Sequence, residues 1–178
     1  LTKEEIEAIE KNDLGGNPSL EKVRDLFLFS VYTGLRFNDA QQLRKENLIH
    51  DQKKYWIKKS QQKTDDIVEI PLLNKALDIL NRHKHIREIT GALLPPISNQ
   101  KVNSYLKVIA ELCGISSPLT HHVARHSFAT TICLENNISI EETSKWLGHN
   151  DLRSTQIYGK IRKQMMAKSA EILNEKLK

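Results

Sequence analysis

The stretch from Leu119 to Tyr158 constrains this chain more strongly than any other part of it. Its first half predicts a packed helix over the run THHVARHSFAT, and Trp146-Leu147-Gly148-His149 marks the end of the next helix. His122 and Arg125 are three residues apart, so on a helix their side chains lean over the same spot. Two such groups beside a tyrosine phenol make a poor hydrophobic core, but they are well suited to hold a phosphate diester next to a nucleophile. We therefore expect helices packed around an anion site. His121 lacks the three-residue offset from Arg125 and is expected to cap the helix or face solvent.

Helical periodicity and capping signals cover most of the chain. Capping-box patterns at Thr2 with Glu5, and at Ser139 with Glu142, predict the starts of two helices. Gly34 is predicted to break the second helix of the chain. The predicted helices cover residues 2–11, Leu20–Thr33 with Ser19 as the cap, Phe37–Leu43, Leu72–Ile86, Asn99–Cys113, His122–Glu135, Ser139–Leu147 and Leu152–Gln156.

Two strand-like runs interrupt this helical pattern. Tyr55-Trp56-Ile57 and Ile67–Pro71 flank the polar segment Ser60–Asp66, which predicts a β-hairpin, and Leu48-Ile49 is a candidate third strand. The expected fold class is therefore mainly α with a small antiparallel β-sheet.

Length and composition suit one domain with its own core, since 178 residues bury enough surface for that. Lys and Arg outnumber Asp and Glu by 27 to 22, which gives a net charge of +5 and is compatible with a polyanionic partner without requiring one. Cys113 and Cys133 lack a paired spacing and are expected to be buried free thiols in a reducing compartment. No apolar run approaches the roughly 18 residues of a membrane span, so we expect no membrane partner.

Arg36 follows the helix break at Gly34, and Asp39 lies three residues further on. At this spacing the two side chains could form a surface ion pair, which contributes little to stability. The alternative, in which Arg36 joins Arg125 in one site with Asp39 as support, is implied by the family resemblance described next.

The motifs together resemble the catalytic domain of the tyrosine recombinases, the phage integrase family of site-specific DNA strand-exchange enzymes. The family pattern is His-x-x-Arg-His-Ser/Thr-Phe-Ala, then Leu-Gly-His, then a tyrosine about nine residues later. Here it corresponds to His122–Ala129, Leu147-Gly148-His149 and Tyr158, while Thr-Gly-Leu-Arg ending at Arg36 matches the first arginine motif. The resemblance covers nearly the whole chain, and its motifs are specific in combination.

The resemblance implies a catalytic set and a role for each member. Arg36 and Arg125 would bind the scissile phosphate, His149 would donate a hydrogen bond to it, and His122 would take the proton of the nucleophile Tyr158. The implied product is a 3′-phosphotyrosine intermediate. The remaining implied residues are Lys63 as general acid and Asp39 as a supporting carboxylate.

Lys63 is assigned because a hairpin lysine in this relation to Pro71 reaches the scissile phosphate in the family. Lys53, Lys58 and Lys59 compete for the same role. A lysine in a turn is also often simply solvated, so this assignment depends on the resemblance.

No cofactor and no metal are expected. Zinc is the alternative to consider, because His122, His126 and Cys133 lie at helical steps of four and seven. A rise of about 1.5 Å per residue places His126 and Cys133 about 10 Å apart along the axis, which is too far to share one ion.

The partner implied by the resemblance is double-stranded DNA, bound by a tetramer at the nucleoid in the cytoplasm. The family usually places a DNA-clasping helical domain before the catalytic one, and we expect that domain to be missing from residues 1–178, which then form a single catalytic domain. The stripe Met166, Ala170, Leu173 and Leu177 is expected to pack either on this domain or on a neighbouring protomer.

Integrases of mobile elements are the nearest resemblance, and resolving recombinases are next. A type IB topoisomerase-like or telomere-resolving enzyme would share the chemistry. A DNA-binding or regulatory module that keeps the fold without cleaving DNA is the alternative from a different class.

Overall fold

The computed structural model of this chain describes residues 1–60 and 67–148, together with residues 167, 170 and 173–175. Its helices are α1 (Lys3–Lys11), α2 (Pro18–Thr33), α3 (Phe37–Gln41), α4 (Asn74–Arg82), α5 (Lys84–Thr90), α6 (Asn99–Leu112), α7 (His121–Ser127) and α8 (Ile140–Leu147). Its strands are β1 (Leu48–Asp51), β2 (Lys54–Ser60) and β3 (Ile67–Pro71). The predicted fold class, mainly helical with a small sheet, is confirmed.

The sheet is antiparallel with the strand order β1-β2-β3, so the predicted hairpin and third strand are both present. Ile57 on β2 is paired with Leu48 on one side and Ile70 on the other. Ile57 and Ile70 are buried, and the next residue on β2, Lys58, pairs across the sheet with Glu69 in solvent. The alternation of strand side chains therefore gives this sheet one face in the core and one face in water.

The long helix α2 is the centre of the core and packs against α4, α6 and α7. Its buried side chains include Phe27 and Phe29, both fully inaccessible to solvent. A second, smaller cluster around Phe128, Leu134 and Leu147 joins the segment after α7 to α8. Of the helices that carry the motifs singled out in the sequence, α7 thus packs on α2, and α8 is held by this second cluster.

The capping predictions are confirmed at α1 and α8. Thr2 and Glu5 form a capping box, and so do Ser139 and Glu142. The predicted start of α2 is wrong by two residues, because Asn17 is the cap and accepts hydrogen bonds from the amides at positions 19 and 20. Proline at the first helical position needs no amide partner, so α2 begins at Pro18.

The predicted helix Leu72–Ile86 is divided in the structure. α4 ends at Arg82, His83 leaves the helical conformation, and α5 follows. The side chains of Arg82 and His83 both bind the buried carboxylate of Asp25 on α2. Two adjacent residues on a regular helix point about 100° apart, so a break lets both reach one carboxylate.

The predicted helix His122–Glu135 is also not regular. α7 ends at Ser127, residues Phe128–Cys133 form a π-helix, and Leu134–Asn136 form a 3₁₀ turn. Single π-helical turns are rare and often occur at functional sites. In this wider turn the Phe128 ring packs against Trp146 on α8, with 5.6 Å between the ring centroids.

The remaining expectations concern the cysteines and the tail. Cys133 is buried, and burial raises the pKa of its thiol to about 12, while Cys113 is half-buried. Ala170 and Leu173 of the predicted tail stripe are helical and exposed, whereas Met166, Leu177 and Leu152–Gln156 lie outside the described residues. Across the described part of the chain, no helix has the length and apolar character needed to cross a membrane.

Candidate phosphate-binding cleft

Gly34 ends α2 in a left-handed conformation, with φ +72°. A Cβ atom at this position would lie 2.6 Å from Cδ1 of Phe128 and 2.9 Å from Cδ2 of Leu147. Only glycine adopts this conformation without strain and also leaves room for the two neighbours. The end of α2 can therefore lie directly against the segments that carry the downstream motifs.

Arg125 connects three helices at this point. From α7 its guanidinium donates from Nη1 to the carbonyl of Gly34 and from Nη2 to the carbonyl of Leu147, both at 2.8 Å. These carbonyls belong to the ends of α2 and α8, where helical C=O groups lack partners within their own helix. A planar guanidinium can bind two separated acceptors at once, which a lysine ammonium does less well. Arg125 is therefore both buried and fixed in orientation.

Arg36 lies in the same region of the fold. It is the N-cap residue of α3, two positions after Gly34, and its side chain is exposed. Arg36, His122 and Arg125 all line one cleft of about 260 Å³. The predicted convergence of the two arginines is thus present in the geometry.

The other residues that line this cleft are uncharged at neutral pH. They are Phe37, Asn99, Asn103, Thr120 and His121. Among the described residues, no aspartate or glutamate lines the cleft. A cleft with two guanidinium groups and no carboxylate attracts an anion.

His122 is exposed at the cleft and is held by its neighbour one turn later. Its Nε2 lies 2.8 Å from Nε2 of His126, so one ring donates and the other must be neutral to accept. Burial lowers the pKa of His126, and the nearby His122 and Arg125 lower it further. His126 is therefore the ring that favours the neutral state.

His121 has a different position from the one the sequence suggested. The sequence left it as a helix cap or a solvent-facing residue, but it is buried, with Nε2 at 3.2 Å from Oγ of Ser30. Burial lowers its pKa to about 4. The ring packs edge-on against Phe37, at 5.3 Å between centroids, and so forms part of the cleft wall.

Asn99 and Asn103 were not identified from the sequence as part of the site. Both lie on α6. Asn103 donates a hydrogen bond from its side-chain Nδ2 to Oδ1 of Asn99, and its own Oδ1 accepts a hydrogen bond from the backbone N–H of His121. Asn103 thereby caps the start of α7, where Thr120 makes no side-chain capping bond. The available signal was the pair of asparagines four residues apart on an otherwise amphipathic helix.

Asp39 is paired with a different cation from the one its spacing indicated. Within the described part of the chain its carboxylate pairs with Lys59 on β2, at 3.2 Å between Oδ1 and Nζ, and not with Arg36. Lys58 pairs with Glu69 on the solvent face of the sheet. Two of the lysines that compete with Lys63 are therefore engaged in other contacts.

Lys63, His149 and Tyr158 lie outside the described residues. Lys63 belongs to the segment between β2 and β3, and His149 follows Gly148 directly in the sequence. Within the described residues, no group of three or more His, Cys, Asp or Glu side chains is arranged to hold a metal ion.

Comparison with known proteins agrees with this fold and these motifs. The profile described as the phage integrase family matches residues 1–165, so the chain belongs to that family. The chain is 29% identical to the tyrosine recombinase XerD of Halalkalibacterium halodurans over 175 residues, which cover 93% of this chain and 58% of XerD.

Two solved structures share the fold. The XerH site-specific recombinase, crystallised with palindromic difH substrate as a post-cleavage complex, has a TM-score of 0.76 at 23% identity and covers 98% of this chain and 53% of its own. The catalytic domain of bacteriophage HP1 integrase has a TM-score of 0.66 at 21% identity, and the match covers 90% of this chain and 86% of the HP1 chain. The chain thus spans little more than half the length of the XerD and XerH proteins.

Proposed function

We propose that this chain carries the catalytic part of an enzyme that cuts and rejoins DNA at specific sites through a covalent 3′-phosphotyrosine intermediate. One observation carries the proposal: Arg36 and Arg125, far apart in the sequence, line the same cleft as His122. Membership of the phage integrase family supports the same chemistry.

The arginines bind the phosphate in this proposal. The two non-bridging oxygens gain negative charge in the transition state, and guanidinium groups donate paired, permanently charged hydrogen bonds to them. Each such preorganised donor contributes on the order of 10²–10³ in rate. The burial of Arg125 supports this role, because low dielectric strengthens its attraction for an anion.

Tyr158 is the proposed nucleophile. Its phenol, with an ordinary pKa of about 10, needs a proton acceptor, and His122 is the proposed acceptor. The contact with His126 supports this assignment, because it fixes the His122 ring beside the cleft next to a ring that favours the neutral state. The phenolic oxygen attacks phosphorus, and its proton passes to the imidazole of His122.

The leaving group is the 5′-oxygen of the cut strand. As the bond between phosphorus and this oxygen breaks, the ammonium of Lys63 donates a proton to it and becomes a neutral amine. His149 donates a hydrogen bond to the phosphate, and Asp39 supports the site without contacting substrate. The reverse steps, with the 5′-hydroxyl of a second strand, restore the phosphodiester and free Tyr158.

This scheme needs no cofactor. The phosphotyrosine link conserves the energy of the broken bond, so rejoining does not require ATP. The guanidinium groups neutralise the charge that a divalent cation takes in other phosphoryl-transfer sites.

Double-stranded DNA is the proposed partner, bound at the nucleoid. The net charge of +5 supports a polyanionic partner, as does the XerH structure with this fold, which was crystallised with its difH substrate. We propose a tetramer on DNA in which the tail stripe packs on a neighbouring protomer. Leu173 of that stripe is 56% exposed, which supports a docking role. Integration of a mobile element is the proposed setting.

The test is covalent trapping on DNA. The chain is incubated with a pool of random-sequence duplexes that each carry one nick, so that cleavage beside the nick releases a short fragment and prevents rejoining. We expect wild type to retain DNA through denaturing electrophoresis, and sequencing of that DNA identifies the preferred site. Tyr158→Phe should shift the same DNA in a native gel, more weakly at higher salt, without denaturation-resistant retention.

Two other outcomes would replace the proposal. Binding without any trapping by wild type would favour a non-cleaving DNA-binding module on this fold. Relaxation of a supercoiled plasmid that lacks the enriched site would favour a type IB topoisomerase-like enzyme.

A further inference from the structure

Lys59 lies on β2 and extends toward the short helix that carries Arg36. Its Nζ atom donates to the backbone carbonyl of Asp39 at 3.1 Å, to Oδ1 of Asp39 at 3.2 Å and to Oε1 of Gln42 at 3.4 Å. The Lys59 side chain is 13% exposed and that of Asp39 is 18% exposed. The three protons of the ammonium group thus have three acceptors in or beside α3.

The neighbouring lysine provides a direct contrast. Lys58 pairs with Glu69 at 2.7 Å on the solvent face of the sheet, and these side chains are 45% and 55% exposed. An exposed pair of this kind contributes little to stability, because water and salt screen it. The partly buried contact of Lys59 is screened less, and it joins two different elements of the fold.

α3 depends on such contacts because it has only five residues. A helix this short is unstable alone, since the cost of nucleation is not recovered. Its Asp39 carbonyl receives a hydrogen bond from Lys59, whereas the amide of Leu43 bonds to Ala40 instead. A second contact holds the other side of α3, where Gln41 bonds to the loop at positions 95 and 97.

The location of this contact relates it to both arginines. Arg36 is the N-cap residue of α3, so any rotation of α3 moves it. Asp39 and Lys59 also line a small pocket together with Arg125 and Leu147. Without its lysine, the Asp39 carboxylate would be a negative charge beside the cationic cleft, where it would compete with phosphate for a guanidinium.

We propose that Lys59 is a positioning residue: it clamps α3 to the sheet through Asp39 and Gln42 and so holds Arg36 at the phosphate cleft. This inference rests on the proposed strand-cleavage function for its effect on rate. The structural part of the inference does not depend on that function, because Lys59 contacts Asp39 and Gln42 in the protein without DNA.

The first test needs no DNA. Amide hydrogen exchange is compared between wild type, Lys59→Met and Lys58→Met, with attention to the amides of Ala40 and Gln42, which bond to carbonyls of Arg36 and Asn38. We expect faster exchange in Lys59→Met alone, while amides in α2 keep their wild-type rates. Unchanged exchange at Ala40 and Gln42 in Lys59→Met would overturn the inference whether or not the chain cleaves DNA.

The second test uses covalent trapping on the nicked duplex that wild type enriches. A displacement of about 1 Å can cost on the order of 10²-fold in rate, so Lys59→Met should lower the rate at saturating protein by about tenfold to a hundredfold. The protein concentration that gives half of the maximal trapping rate should change less than that rate does. Lys59→Arg should recover most of the rate because it still donates to Asp39, and Lys58→Met should match wild type. Wild-type trapping with an equally active Lys59→Met would refute the inference and leave the proposed function intact.

The third test separates positioning from proton donation. The same duplex is prepared with sulfur in place of the bridging 5′-oxygen, because a thiolate leaves without an acid. Loss of a positioning residue should slow cleavage of this substrate as well, so the trapping rate of Lys59→Met should stay below that of wild type. If the sulfur substrate restored Lys59→Met to the wild-type rate, Lys59 would be the general acid and the positioning role would be wrong.

Discussion

The guanidinium of Arg125 donates a hydrogen bond to the carbonyl oxygen of Gly34 at 2.8 Å, across 91 residues of sequence. Its second Nη atom binds the carbonyl of Leu147 at the end of α8. Both carbonyls lie at helix C-termini, where the partial negative charge favours a cation. One side chain thus fixes the relative positions of three helices and also presents positive charge to the cleft, so structure and proposed chemistry share one residue.

Replacing each arginine by lysine should separate these two contributions. Arg125→Lys should lower the free energy of unfolding by about 1–3 kcal/mol, because a single Nζ atom reaches the two separated carbonyls less well than the two Nη atoms do. Arg36→Lys should change it by less than about 0.5 kcal/mol, because Arg36 is exposed. Both should lower the rate of covalent trapping by about 10²–10³. Urea unfolding and the trapping assay measure the two effects, and equal stability losses would contradict the structural role of Arg125.

Gly34→Ala should destabilise the protein much more than Gly91→Ala. Both glycines end helices at almost the same φ, +72° and +73°, but a Cβ at position 34 meets Phe128 at 2.6 Å and one at position 91 meets nothing within 4 Å. Backbone strain of about 1 kcal/mol applies to both variants, and overpacking adds about 1–3 kcal/mol at Gly34 alone. Urea unfolding midpoints at neutral pH test this. Equal losses of stability in the two variants would mean that the Phe128 ring moves away from the new Cβ atom at no energetic cost.

Asp25→Asn should lower the free energy of unfolding by about 2 kcal/mol at pH 7, since it weakens charged hydrogen bonds to Arg82 and His83. Glu69→Gln is the matched control, because it removes an exposed pair and should have little effect.

The effect of Asp25→Asn should also depend on pH. Burial alone would raise the pKa of Asp25, but hydrogen bonds from His83 and Arg82 outweigh it and hold the pKa below its ordinary value. The carboxylate therefore stabilises the fold above about pH 4, and this contribution is lost as the pH falls through the lowered pKa. Denaturation at pH 7 and pH 3 should show the variant approaching wild type at the lower pH, and a constant difference would argue against the ion pair.

His121 should make the fold sensitive to mild acid. Its pKa in the folded protein is about 4, below the ordinary value of about 6.5, so the unfolded chain takes up a proton first as the pH falls. Stability should therefore be lost between about pH 6.5 and pH 4, by about 3 kcal/mol in total.

The variant His121→Gln, which cannot titrate in this range, isolates the effect of that histidine. Its free energy of unfolding, measured by urea at pH 7 and pH 4.5, should fall less than that of wild type over the same interval. If the difference in free energy of unfolding between wild type and variant does not change with pH, His121 is not buried in the neutral form.

Local elements were largely predictable. The capping boxes of α1 and α8 and the break at Gly34 depend on residues a few positions apart, and the structure has all three. The strands were predictable for the same reason, since β-branched and aromatic residues cluster in β2 and β3. Short-range backbone preferences are encoded in short stretches of sequence.

Apart from the start of α2, which its local cap Asn17 decides, the features that the sequence left wrong or open involve partners distant in sequence. Arg82 and His83 interrupt a predicted helix because both bind Asp25 on α2. His121 is buried because α2 supplies Ser30 as its partner. The sequence left open a pair between Asp39 and Arg36, and the structure pairs Asp39 with Lys59 on the sheet. In each case the contact depends on an element far away in the sequence.

The sequence by itself determined the helical and strand segments, the glycine that ends α2 and the motif that identifies the family, because each is written within a short window of residues. Only the tertiary structure decided that Arg36 and Arg125 line one cleft and that Lys59 on β2 binds Asp39 on α3. The physical reason is that a contact between distant residues depends on how α2, α7 and the sheet pack together, and that packing is a property of the whole core.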